Sequence, residues 1–221
     1  MPAQYSNTFN TDKVGTLIGK GVKDIHWYRD TERLFVDLFG SDRLHLVTQL
    51  FAATSIKSTL TSNIKLFRRA LRDINEGNEF RRYLPAMEYQ LKLIRDGRPI
   101  QARKIRNFAA AMSGDVNAVV VDRWLMRAFG YDGIKSPTDA QYTRIENWVR
   151  GYAEMTSREP RQISAMIWSG IRGGVTRYDH ILRNKLFNMY EENHDYLFAG
   201  VSITGVMQPA QRLQSSQVQT S

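Results

Sequence analysis

Residues 98–130 read RPIQARKIRNFAAAMSGDVNAVVVDRWLMRAFG, and the interpretation of the chain starts from them. A basic amphipathic run over 100–112 is followed by a Ser-Gly-Asp break and a largely apolar run over 116–121. That run ends at Asp122, and the residues after it predict a helix that stops at Gly130. An aspartate in this position either caps the backbone N–H groups of the helix or faces a cleft as a desolvated base.

The composition favours a single domain that binds a polyanion. The chain has 221 residues, which is enough to bury a core, and its formal net charge is +9. Such a charge attracts nucleic acid over long distances, whereas the alternative is a solvated basic surface. We therefore predict nucleic acid as the partner.

Several classes of site are excluded or disfavoured by residue usage. The chain has no cysteine, which excludes disulfides, thiolate metal sites and cysteine nucleophiles. Its four histidines, at positions 26, 45, 180 and 194, are not at the spacing of metal ligands. Accordingly we expect no metal and no cofactor.

The sequence also carries no targeting or membrane signal. No apolar run approaches the roughly 20 residues that a membrane span needs, and the N-terminus does not have the pattern of a signal peptide. We expect a cytoplasmic protein, in the host cytoplasm if it is encoded by a phage, with no membrane partner. A monomer is favoured.

Hydrophobic periodicity predicts an all-α fold. Helical patterns and cap signals indicate about nine helices, arranged as a two-lobed bundle with a central cleft. The apolar run over 116–121 is β-branched, but as a strand it would have no partner, so it is interpreted as the start of a buried helix or the loop leading to one. The predicted organisation is a flexible arm over 1–22, one domain over 23–198 and a disordered tail over 199–221.

Three segments, in order, resemble the helix-hairpin-helix DNA glycosylase superfamily, which has the endonuclease III-like fold. Residues 46–55 (LVTQLFAATS), followed by 63–67, resemble the early buried helix of the family and its LLSAQATD exit. Residues 98–104 (RPIQARK) lie where the family has the hairpin LPGVGRK, and 120–123 (VVDR) with Arg127 resemble VDTHVxR.

A weaker fourth segment, 162–173, resembles a helix near the end of that fold. The resemblance covers roughly residues 25–175. A His-Trp-Tyr segment over 26–28 and the pattern KxRNF…GD…VVVDR also resemble a phage-borne branch of the superfamily.

The resemblance implies a base-excision site that binds double-stranded DNA along a basic cleft. Asp122 stands at the position of the catalytic aspartate, and Lys104 lies 122 − 104 = 18 residues before it, as the nucleophilic lysine does in lyase-competent members. Such a lysine needs a lowered pKa, and the flanking Arg103 and Arg106 would lower it. The alternative for Lys104 is a surface lysine or one that contacts phosphate.

Further residues are candidates for contacts with DNA or a flipped base. The candidate DNA contacts are Arg98, Arg103, Arg106, Asn107, Arg123, Thr54 and Ser55, with Thr54 in place of the glutamine that wedges into the duplex in the family. The candidate base pocket comprises Trp27, Tyr28 and Trp168, although aromatic residues in helices are more often part of the core. Ile100 and Ala102 replace the two hairpin glycines that let the backbone approach a phosphate.

The resemblance implies a DNA glycosylase that acts on a flipped and modified base, with lyase activity if Lys104 is the nucleophile. Two alternatives remain open. One is a phage enzyme that transfers groups onto hypermodified thymine on the same scaffold. The other is a DNA-binding protein without catalysis, which the missing hairpin glycines favour.

Overall fold

A computed structural model of the chain describes residues 9–134, 136–174 and 176–191. Regular secondary structure in these residues is entirely helical, which confirms the all-α class. A 3-10 turn occupies Val22–Asp24, and the α-helices of the described chain are α1 Thr11–Gly21, α2 Trp27–Phe39, α3 Leu44–Thr54, α4 Leu60–Asn75, α5 Pro85–Arg95, α6 Arg103–Met112, α7 Arg123–Ala128, α8 Asp139–Met155, α9 Pro160–Arg172 and α10 Thr176–Glu191. The tail predicted over 199–221 lies outside the described residues.

The predicted flexible arm over 1–22 is wrong for its second half, because 11–21 form helix α1. Asn10 caps this helix by accepting a hydrogen bond from the backbone N–H of Lys13, 2.9 Å away. Val14 and Ile18 lie one turn apart and are buried, which gives the helix one apolar face. The tertiary partner of that face is α9, and it stabilises a helix that its polar sequence alone does not predict.

Two hydrophobic clusters form the two lobes of the bundle. The first is built mainly from α2 to α6 with α10, and the second from α1, α7, α8 and α9. The indole of Trp168 in α9 packs against both clusters, so it marks the junction between the lobes.

Residues 116–121 run through this junction without forming a helix or a strand. Ala118 and Val120 pack in the first cluster, whereas Val119 and Val121 pack in the second. This alternation is that of an extended chain, whose successive side chains point to opposite sides. Of the two interpretations of this run, the loop leading to a buried helix is therefore correct.

The backbone of this buried segment is satisfied by side chains instead of a neighbouring strand. The carbonyl of Val119 accepts hydrogen bonds from Asn107 Nδ2 at 2.8 Å and from the Tyr142 hydroxyl at 2.9 Å. The N–H of Val121 donates to the same hydroxyl at 3.2 Å. Since buried backbone groups without partners are costly, these two side chains fix the path of the chain into Asp122.

Arg161 connects the lobes at a second point. Its side chain is almost fully buried and forms ion pairs with Glu32 of α2 at 3.0 Å and with Glu159 at 2.8 Å. Its backbone N–H donates to the carbonyl of Val116 at 3.1 Å. This network attaches α9 to the first lobe and to the start of the extended segment.

Candidate functional site

Helices α5 and α6 are joined by the connection 96–102, in which two backbone N–H groups are directed to a side chain of α5. The buried Gln90 accepts hydrogen bonds through Oε1 from the N–H of Gln101 at 3.1 Å and from that of Ala102 at 3.5 Å. Ile100 is buried in the first cluster. These two N–H groups are therefore occupied by Gln90 and are not free to bind a phosphate.

Lys104 lies in the first turn of α6 and is directed toward the end of α3. Its ammonium donates a hydrogen bond to Ser55 Oγ at 3.4 Å and lies 5.5 Å from the centre of the Phe108 ring. Burial lowers the pKa of Lys104 below its ordinary value, and the negative charge of Asp122 opposes this shift. The carboxylate of Asp122 is therefore close enough to Lys104 to favour the charged form of the amine.

The neighbouring arginines do not cause this lowered pKa, contrary to the prediction. The guanidinium of Arg103 turns to Glu146, with which it forms an ion pair at 2.8 Å, and lies 4.4 Å from the centre of the Tyr142 ring. Arg106 is exposed and donates to the carbonyl of Ile100 at 3.4 Å. The pKa of Lys104 is lowered because burial removes the ammonium from water.

Asp122 is partly exposed and uses both of its carboxylate oxygens. Oδ1 caps α7 by accepting from the backbone N–H of Trp124 at 2.8 Å and of Leu125 at 3.0 Å, which confirms the predicted N-cap. Oδ2 accepts from the indole N–H of Trp168 at 3.1 Å. The carboxylate is held rigidly at the junction of the lobes by three donors.

The candidate base-pocket aromatics pack together beside this carboxylate. Trp27 lies nearly parallel to Trp168, with ring centres 5.8 Å apart, and to Phe108, with centres 6.3 Å apart. Tyr28 meets Trp27 edge-on at 4.7 Å. Trp27 and Tyr28 are buried in the first lobe whereas Trp168 is half-buried, so of these three Trp168 offers the most surface to a ligand.

Two polar groups lie among these aromatic side chains, the indole N–H of Trp27 and the phenol of Tyr28. The indole N–H of Trp27 is buried and has no hydrogen-bond partner among the residues that the structure describes. Burial, and secondarily the charge of Asp122, raises the pKa of Tyr28 well above its ordinary value, so its phenol remains protonated.

Arg103 and Asn107, predicted as DNA contacts, are held in an internal network. Asn107 Nδ2 donates to Val119 and to Glu146 Oε1 at 2.9 Å, while Arg103 binds the other oxygen of Glu146. Tyr142 belongs to the same network, and burial raises its pKa to about 12. These residues position the segment leading to Asp122, and the sequence did not reveal this role because Glu146 lies about forty positions away.

The two candidate contacts at the end of α3 differ in accessibility. Thr54 is fully buried, and its hydroxyl donates to the carbonyl of Leu50 at 2.9 Å, so the prediction that Thr54 touches DNA is wrong. It lies on the core-facing side of the last turn of α3, where a hydroxyl satisfied by its own helix is compatible with burial. Ser55 is partly exposed and accepts the hydrogen bond from Lys104.

The remaining candidates, Arg98, Arg106 and Arg123, are exposed on the surface. Arg123 lies over the ring of Trp124, and two further arginines, Arg127 and Arg172, lie over the same ring. Sequence reasoning did not select Trp124 or Arg172 as site residues. The i, i+4 spacing of Arg123 and Arg127 was a signal, but nothing in the sequence indicated that Arg172 joins them.

The fold and the site define an all-α protein with a lysine and an aspartate near the junction of two lobes. The model of the Family of unknown function (DUF7178) matches residues 20–175, and the chain belongs to this family. Comparisons with curated proteins and with solved structures returned no match. Among the described residues, no helix has the length and apolarity needed to cross a membrane, and no group of three or more His, Asp or Glu side chains is placed to hold a metal ion.

Proposed function

We propose that this protein is a DNA glycosylase-like enzyme that acts on a flipped, modified base. One observation carries the proposal: Lys104, whose pKa is lowered by burial, lies close enough to the partly exposed Asp122 for the carboxylate charge to oppose that shift. A buried amine beside a fixed carboxylate is the pair that base excision with an amine nucleophile requires. The resemblance of 98–104 and 120–127 to the glycosylase motifs supports the same assignment.

Asp122 would stabilise charge on the sugar. As the bond between C1′ and the base nitrogen breaks, positive charge develops on the sugar, and a carboxylate held by three donors can face it without reorganising. The departing base takes the bonding electron pair and needs a proton. Because the carboxylate cannot supply one, the proton must come from the attacking amine or from water.

Lys104 would act as the nucleophile. Its neutral amine forms a bond to C1′ while the bond to the base breaks, and the new ammonium gives a proton to the departing base. The nitrogen lone pair then displaces the ring oxygen O4′ from C1′, O4′ takes the bonding electron pair and a proton from water, and an iminium remains between Nζ and C1′. Burial of Lys104 favours this step, because it increases the fraction of neutral amine at a given pH.

A DNA-binding protein without catalysis is the second candidate, and two observations favour it. Asp122 already accepts three hydrogen bonds, as a purely structural cap would. The hairpin donors at Gln101 and Ala102 are directed to Gln90 instead of a phosphate. This candidate predicts salt-sensitive DNA binding that Asp122→Asn does not weaken.

Formation of abasic sites distinguishes the two candidates. The protein is incubated with oligonucleotides that contain a panel of modified bases, and abasic sites are measured by alkaline cleavage. We expect product with the natural protein, loss of at least about a hundredfold in rate with Asp122→Asn, comparable to removing a charge-stabilising group in other enzymes, and no loss with Asp139→Asn. The control removes a carboxylate from the first turn of α8, where it is exposed.

Full activity of Asp122→Asn would remove this residue from the mechanism. Binding of DNA without product on any base, and unaffected by Asp122→Asn, would establish the second candidate.

A further inference from the structure

Three arginines surround one tryptophan at the start of α7 and the end of α9. The guanidinium carbons of Arg123, Arg127 and Arg172 lie 5.1, 4.9 and 4.7 Å from the centre of the Trp124 ring. All three arginines are exposed, and the ring is partly exposed. We refer to these four residues as the Trp124 cluster.

The Trp124 cluster concentrates positive charge without an acidic partner. Within the described part of the chain, none of the three guanidiniums forms an ion pair with a carboxylate, unlike Arg103 and Arg161. Lys13 adds a fourth cation, because its ammonium donates to the carbonyl of Arg127 at 3.4 Å. Like charges gathered in this way repel one another, so an anion bound among them would relieve the repulsion.

Within the described residues no carboxylate pairs with these arginines, so their hydrogen-bond donors are available to a ligand. A guanidinium that stacks through its face on an aromatic ring keeps its N–H groups free around its edge. Those edges match the two oxygens of a phosphodiester, which they can bind in pairs. An indole among several such guanidiniums also offers surface on which a nucleobase can stack.

We propose that the Trp124 cluster binds the phosphodiester backbone of DNA. Charge complementarity supports this partner, since the three unpaired guanidiniums belong to a chain of net charge +9. The cluster is also continuous with the candidate site: the N–H of Trp124 binds Asp122, and Arg172 lies 5.4 Å from the centre of the Trp168 ring. A strand held on this cluster passes beside Asp122, although the binding itself does not require base excision.

Fluorescence anisotropy with labelled, unmodified oligonucleotides tests the proposal. Affinity is measured over a range of salt concentrations for the natural protein and for Arg123→Gln, Arg127→Gln and Arg172→Gln. Arg81→Gln is the matched control, because Arg81 is exposed in the loop between α4 and α5, outside the cluster. Thermal unfolding of each variant verifies that the fold is retained.

We expect each variant within the cluster to weaken binding by roughly 5- to 10-fold at about 0.1 M salt and to reduce the salt slope by about one, as the loss of one phosphate contact does. Arg81→Gln should leave both values unchanged. Unchanged affinity in all three variants would overturn the proposal, as would an equal loss in the Arg81 control. Competition by polyglutamate as effective as that by DNA of equal charge would instead assign the cluster to an acidic protein. Unmodified DNA is used throughout, so the result does not depend on the proposed glycosylase activity.

Discussion

Replacement of Asp122 by asparagine separates the two structural tasks of this carboxylate. Asparagine is as good an N-cap as aspartate, so its oxygen can still accept from Trp124 and Leu125. Its amide nitrogen, however, then meets the indole N–H of Trp168, and two donors face each other. If the amide is rotated by half a turn, its nitrogen instead meets the backbone N–H groups of Trp124 and Leu125, so two kinds of donor again face each other.

The expected cost follows from the lost bond to Trp168. A hydrogen bond to a charged group contributes about 1.5–3 kcal/mol, and a buried donor left without a partner costs about 1–3 kcal/mol. Since Asp122 is partly exposed and water can replace some of the bond, we expect Asp122→Asn to lower the free energy of unfolding by about 1.5 kcal/mol. Asp122→Ala should cost roughly a further 1 kcal/mol, because it also removes the cap.

A double-mutant cycle with Trp168→Phe isolates the contribution of the hydrogen bond between Asp122 and Trp168. Phenylalanine removes the indole N–H, so Asp122→Asn should be nearly neutral in the Trp168→Phe background, with a coupling energy of about 1–2 kcal/mol. Urea unfolding followed by circular dichroism gives the four free energies. Additive effects of the two substitutions would refute the reasoning, because they would mean that the bond between Asp122 and Trp168 contributes nothing to stability.

The remaining predictions concern the helix crossing and the reactive lysine. In Gly170→Ala the new Cβ would lie 2.0 Å from the carbonyl oxygen of Leu17, so we expect a loss of about 1–3 kcal/mol, whereas Gly15→Ala meets no atom within 4 Å and should gain about 0.5–1 kcal/mol. Thermal unfolding measures both, and a Gly170→Ala protein as stable as the natural one would contradict the packing of α1 on α9. For Lys104, NMR of the reductively methylated amine should give a pKa below the ordinary 10.5, and Asp122→Asn should lower it further, because the carboxylate favours the charged amine. A pKa that rises in Asp122→Asn would show that the two groups do not interact as described.

Local signals in the sequence were sufficient to predict most of the helices. Thr59 and Thr138 cap α4 and α8, and Gly173 ends α9 in a left-handed conformation, as their residue types indicate. Each of these signals acts within one turn of the helix. Whether residues 116–121 form a helix or an extended segment depends instead on their position between the two lobes. Periodicity within the run does not specify that position.

Helix α1 was missed for a related reason. Gly15, Gly19 and Gly21 weaken its intrinsic helix propensity, and its stability comes from packing on α9, which is distant in the sequence. A Cβ on Gly21 would lie 1.9 Å from the carbonyl oxygen of Met166, which shows how closely the two helices approach. Only the assembled fold reveals that Gly21 is needed for this packing, whereas a Cβ at Gly15 or Gly19 would meet no atom within 4 Å.

In the candidate site too, local signals could be interpreted from the sequence, whereas long-range contacts could not. Asp122 was selected from its place between an apolar run and a helix, which is local information, and the structure confirms it as the cap of α7. The roles of Arg103 and Asn107 depended on Glu146, and the burial of Thr54 depended on the packing of α3, so neither could be deduced from neighbouring residues. The catalytic roles of Asp122 and Lys104 remain predictions.

Covalent trapping on preformed abasic DNA tests most directly the central claim that Lys104 and Asp122 form a site for a DNA sugar. This substrate removes the need to know the base, since its C1′ aldehyde reacts with an amine to give an iminium that borohydride reduces to a stable bond. We predict an adduct that mass spectrometry maps to Lys104, whose yield rises with pH through the lowered pKa of the amine. The adduct should be lost in Lys104→Ala and kept in Lys65→Ala, a control at an exposed lysine of α4. Absence of an adduct, or an adduct that maps to another lysine and survives Lys104→Ala, would contradict the account.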